Sequence, residues 1–143
     1  MLIPRRVLIV SAPFGALDAE RVAAAIARGL VGSGLPDPGA MALPDAATND
    51  LSAMLLQSGF DARMRAARTV ILAVERLREE TLAGGAAFEI ATRARQAGVP
   101  AYAVTAENRL DDFDARILDL QLILEADGTR ALTSAGRRLA KYL

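Results

Sequence analysis

The side chains able to do chemistry in this sequence are carboxylates and arginines. Asp45, Glu75 and Glu107 each stand where an apolar run gives way to a polar turn. Carboxylates so placed can act as general bases or bind Mg²⁺; the commoner role of a loop carboxylate is to cap a helix. Arg76 and Arg78 precede Gly84-Gly85, where a helix is expected to start. Guanidiniums ahead of a helix N-terminus attract an anion, although most arginines are solvated surface residues. The chain has no Cys and no His, which removes thiol chemistry, histidine relays and most metal chemistry, so no metal site is expected. Gly84-Gly85 lacks the Lys and Ser/Thr of a phosphate-binding loop, and no GxGxxG follows the first apolar run. Both absences argue against a dinucleotide or P-loop nucleotide site.

The elements that must position these groups follow from composition and pattern. At 143 residues the chain suits one domain with a sizeable core. It is 52% hydrophobic but only 4% aromatic, so Ala, Leu, Val and Ile do the packing. Lys plus Arg and Asp plus Glu both number 17, a balance that gives no pull toward nucleic acid or an anionic membrane. The run Val7-Leu8-Ile9-Val10 is too short for a membrane span or a signal core, and with no disulfide argument for secretion the expected compartment is cytoplasmic.

Residues 7–12 form an unbroken apolar run, the mark of a strand buried on both faces. A helix beginning at Leu17 or Asp18 and running to Leu30 carries Val22, Ile26 and Leu30 on one face, with Asp18 as N-cap. Strands are expected at residues 40–43, 69–74, 101–105 and 120–125. Between them fall a helix capped by Asn49 or Asp50 and ended at Gly59-Phe60-Asp61, a further helical turn or two at 62–67, a helix at 82–97 and a short one at 111–117. An amphipathic helix at 132–143 closes the chain. This alternation implies a single doubly wound, mostly parallel five-stranded α/β sheet with helices on both faces, Rossmann-like or flavodoxin-like; the pattern does not fix the strand order, for which the fold class alone suggests 2-1-3-4-5. Ligands of such sheets gather outside the carboxyl ends of the strands. Those ends here carry Ser11, Pro13, Gly15, Asp45, Glu75, Arg76 and Asn108, with Gly84 at the expected helix start; a small anionic ligand is the partner they suggest.

Several of these segments, in order, resemble the bacterial glycerate kinase family. Val7-Leu8-Ile9-Val10 leading to Ala12-Pro13-Phe14-Gly15 is similar to the family's opening strand and Ala-Pro-Asp-Ser-Phe-Lys-Gly turn. Leu43-Pro44-Asp45-Ala46-Ala47 resembles Met-Ala-Asp-Gly-Gly, and Gly59-Phe60-Asp61 its Gly-Phe-Asp segment. Residues 70–78 and then Glu80-Thr81-Leu82-Ala83-Gly84-Gly85 resemble the strand, the Gly-Glu-Gly-Arg-Leu-Asp motif and the helix start that follow. The resemblance implies one domain of a two-domain kinase whose second domain is absent and whose reactive residues are mostly replaced. Asp45, Arg76 and Thr81 remain as polar remnants.

Three functions are therefore weighed. The leading one is a catalytically degenerate module for small-ligand binding, regulation or assembly, with candidate ligand residues Ser11, Pro13, Gly15, Asp45, Glu75, Arg76, Thr81, Gly84 and Asn108 and no cofactor. The second is an altered transferase using ATP and Mg²⁺ through Asp45 and Arg76 on glycerate or a related hydroxy acid. The third is a structural homodimer joined by Met41, Met54, Phe60 and Met64, residues whose ordinary place is the core.

Overall fold

The computed structural model describes residues 5–43, 55, 59–79 and 85–143. Strand β1, Val7–Ser11, is buried along its whole length because it lies inside the sheet with a helical layer on each side. Its side chains divide by alternation: Leu8 and Val10 enter one core, Val7 and Ile9 the other. After it come α1 (Ala19–Gly32), β2 (Gly39–Ala42), α2 (Phe60–Ala66) and β3 (Thr69–Leu77). The chain continues through α3 (Ala86–Gln96), β4 (Ala101–Asn108), α4 (Asp112–Leu118), β5 (Ile123–Glu125) and α5 (Thr129–Ala140). All pairings are parallel and the order is β2-β1-β3-β4-β5, the one the fold class suggested. Residues of α1 and α5 fill one core; residues of α2, α3 and α4 fill the other.

Helix α1 starts where expected because the Asp18 carboxylate accepts from Arg21 N at 2.9 Å. It meets α5 backbone to backbone at two glycines. A Cβ on Gly29 would overlap the Thr133 carbonyl and lie 2.7 Å from Arg137 N, and one on Gly136 would overlap the Ile26 carbonyl. Thr133 Oγ1 uses the closeness to donate to Ala25 O at 2.9 Å.

The structure corrects several boundaries. β3 and β4 run on to Leu77 and Asn108, not to Val74 and Thr105, because their ladder continues through the pairs Arg76↔Glu107 and Leu77↔Asn108. Charged side chains are tolerated there because alternation turns Arg76 to solvent while Leu77 stays buried in the core. β5 is shorter than residues 120–125, although Gln121 N and Leu122 O still bond β4. Gly59 is the N-cap of α2, whose first turn takes Phe60 and Asp61, and its φ of 70° is one glycine adopts without strain. β2 sits one residue earlier than expected and α5 three residues earlier, behind Gly128. The helix expected after Asn49 or Asp50 lies outside the described residues, apart from Leu55, which is helical and buried. Met41, Phe60 and Met64 are core residues, so they form no apolar patch for a dimer; Met54 lies outside the described residues. Among the described residues no helix is long and apolar enough to cross a membrane.

Candidate functional site

The carboxyl ends of β1, β3, β4 and β5 converge on one edge, and the sequence candidates fare differently there. Ser11 is buried, and its hydroxyl donates to Ala19 O at 2.8 Å, tying β1 to the first turn of α1. The chain leaves β1 through Pro13 and a tight loop closed by Phe14 and Leu17, whose N–H groups donate to each other's carbonyls at 2.9 Å. Gly15 holds the turn at φ 55°, and a Cβ there would stand 3.8 Å from Glu75 Oε1. Gly15 and Glu75 are thus neighbours across the β1–β3 edge. Asp45, Thr81 and Gly84 lie outside the described residues.

Between β3 and β4 the edge is built with more polar contacts. Thr105 is fully buried. Its hydroxyl donates to Glu75 O at 3.0 Å, with Glu107 O at 3.2 Å as a second acceptor. The Thr105 hydroxyl thus ties the two strands together just before the pairs Arg76↔Glu107 and Leu77↔Asn108, where Leu77 is still buried in the core. Glu107 receives Arg109 Nε at 2.6 Å, a charge-assisted bond at the short end of its range. Asn108 is committed to structure: its Oδ1 accepts from Leu110 N at 3.1 Å, turning the chain out of β4, and its N–H donates to Glu125 Oε2 at 3.3 Å.

Arg78, Glu79, Glu107 and Arg109 wall a cup of about 500 Å³ above the β3–β4 edge. Beside it, Asp114 on α4 has its carboxyl raised above the ordinary 3.8, first by loss of solvent and then by the charges of Asp111 and Glu79 and a hydrogen bond with Asp111. Among the described residues no three acidic groups converge closely enough to hold a metal ion. A second, larger groove of about 860 Å³ lies beside α1 and the edge strand β2, lined mainly by small apolar side chains such as Ala23, Ala27 and Ala42. Its polar lining residues are Ser11, Glu20, Arg28 and Asp37, and Arg63 Nη2 covers the adjoining strand edge by donating to Ala40 O at 2.9 Å.

The sequence candidates Glu75, Arg76 and Asn108 do gather at the β3–β4 edge, and Gly15 joins them from β1. Glu79, Arg109 and Glu125 were missed. Their signal was alternation: Glu107 and Arg109 sit two apart at a strand end, a spacing that keeps both on one side.

The described edge and the order β2-β1-β3-β4-β5 define a flavodoxin-like, doubly wound domain. Among solved structures it is similar to a response regulator receiver domain from Rhodospirillum rubrum, with 14% identity, TM-score 0.56, and 96% of this chain and 92% of that one covered. It is also similar to diflavin flavoprotein A3 from Nostoc sp., with 13% identity, TM-score 0.51, and 99% and 94% of the two chains covered. Identities this low establish the fold alone. No protein-family model matches the chain, and no curated protein matches it in sequence.

These likenesses overturn the resemblance to glycerate kinases, because nearly the whole chain superposes on receiver and flavoprotein domains. The segments that carried it are short apolar strands, each followed by small or turn-forming residues, which any parallel α/β sheet produces. The longest of them is strand through Leu77 and not a strand followed by a glycine-lined loop. The absent second domain and the ATP-dependent transferase reading rested on that resemblance and lose their basis with it.

Proposed function

We propose that this chain is a small-ligand-binding, regulatory module whose cup at the β3–β4 edge takes a small molecule bearing both an acidic and a basic group, as an amino acid does. The supporting observation is the cup itself, with arginine and carboxylate facing each other at the edge where parallel sheets collect ligands. Its size lies within the range of ligand pockets, but its walls are charged. Arg78 and Arg109 suit a carboxylate, and Glu79 and Glu107 suit an ammonium. The even balance works against the purely anionic ligand that the arginines alone suggested, since Glu107 already engages Arg109. Flavin, which the name of the Nostoc protein brings to mind, is less well supported: Phe14, the aromatic of the first loop, is buried and offers no stacking face.

Thermal-shift and calorimetric titration of the full chain with amino acids, inorganic phosphate, ATP and flavin mononucleotide tests this reading. Saturable stabilisation by a zwitterion, lost in Arg109→Ala and Glu107→Gln, is the expected result. Stabilisation by ATP or flavin alone, or by none of the panel, overturns it.

A further inference from the structure

Two exposed aromatic surfaces of opposite charge flank the edge strand β5. On α4, Phe113 is 71% exposed and Ile117, one turn on, 39%; the i,i+4 spacing sets them on one face. Around them Asp111, Asp112, Asp114 and Asp119 outnumber two cations, Arg116 and Arg95, the latter reaching from α3 to donate to Ile117 O at 3.4 Å. Just past α5, Tyr142 is 63% exposed and its ring rests on Tyr102, centroids 6.3 Å apart. Arg137, Arg138 and Lys141, all exposed, precede it within five residues, and no Asp or Glu occurs in residues 128–143. Helix α4 leads into β5 on one layer and α5 leaves it on the other. Among the described residues no strand pairs with the outer side of β5.

We infer that this chain pairs with a second copy of itself, the Phe113 and Ile117 face of each copy seating against the Arg137, Arg138, Lys141 and Tyr142 end of the other about a twofold axis. The argument for that occupant is charge. The whole chain carries no net charge, so two copies neither attract nor repel at long range, while the acidic and basic patches orient their approach. Each copy holds both halves, so one twofold rotation makes two equal contacts and closes the assembly. An aromatic anchor within a charged rim is also the composition of energetic centres in protein interfaces. Contact between Tyr142 and Tyr102 limits the freedom the Tyr142 ring loses on pairing.

Sedimentation equilibrium of the full chain at low and high salt tests the pairing. A dimer that weakens with salt is expected. Phe113→Ser and Tyr142→Ser each weaken it by about tenfold or more; both sites are exposed, so the fold should survive, as circular dichroism will verify. An equimolar mixture of the two variants keeps one intact contact per pair and associates more tightly than either variant alone. The inference is overturned by a monomer at every concentration, by a dimer that neither variant weakens, by a mixture no tighter than its components, or by growth beyond the dimer.

Discussion

At the residue scale, the Thr105 hydroxyl is the polar fastening of the β3–β4 edge. It sits fully buried between the carbonyls of Glu75 and Glu107. Thr105→Val keeps the shape but leaves the Glu75 carbonyl without that donor, and should lose about 1–2 kcal/mol in urea unfolding; Thr105→Ser should retain most of it. Equal stability of the Val variant and the parent would show the hydroxyl to be idle. Asp114 supplies a pH-dependent test. Its carboxyl is raised in the folded chain above 3.8 by lost solvent and by Asp111 and Glu79. The folded state therefore holds that proton more tightly than the unfolded one. Stability from this group is complete below the unfolded value and is lost as pH rises through the raised folded value. Asp114→Asn removes the loss, so the variant should gain on the parent as pH rises from below the unfolded value through the raised folded one. A gap that does not change with pH contradicts this. Glu107 was legible in the sequence as a carboxylate at a strand end, but its partner Arg109 was not, because which loop side chains meet depends on how far the ladder extends.

At the element scale, the α1–α5 crossing carries the closest backbone approach. Gly29 and Gly136 each leave space that a Cβ would fill with backbone atoms of the facing helix. Gly136→Ala should cost about 1–3 kcal/mol through overpacking, despite the better helix propensity of alanine. Gly32→Ala, where a Cβ meets nothing within 4 Å, should be neutral or stabilising by up to about 1 kcal/mol. Denaturant titration of both variants separates steric contact from propensity; similar effects from the two would argue against the close crossing. Glycines inside helical patterns were visible in the sequence. That these two face each other was not, since the threonine that spans the crossing lies 108 residues from its acceptor. The caps were easier: Asp18 and Asp111 announce their helices through a local bond to the backbone three residues on, which needs no tertiary information.

At the scale of the whole molecule, the sheet was readable because alternating strand and helix patterns reflect burial on one or both faces; its strand order was suggested only by the fold class, since the same alternation serves more than one order. The kinase resemblance failed at the same scale. It was assembled from strand-and-turn pieces that the architecture itself repeats, and the structural likenesses to a receiver domain and a flavoprotein cover nearly the full chain instead. A total charge of zero also conceals an acidic α4 and a basic α5, and only the fold shows that they border the same edge strand. The central claim is that the mixed-charge cup between β3 and β4 is the binding site, and amide NMR of the full chain titrated with zwitterionic amino acids tests it most directly. Saturable shifts confined to residues 75–79 and 105–110, abolished by Glu107→Gln, are the predicted result. Saturable shifts that map instead to the groove between α1 and β2, or no saturable shift at all, would contradict it.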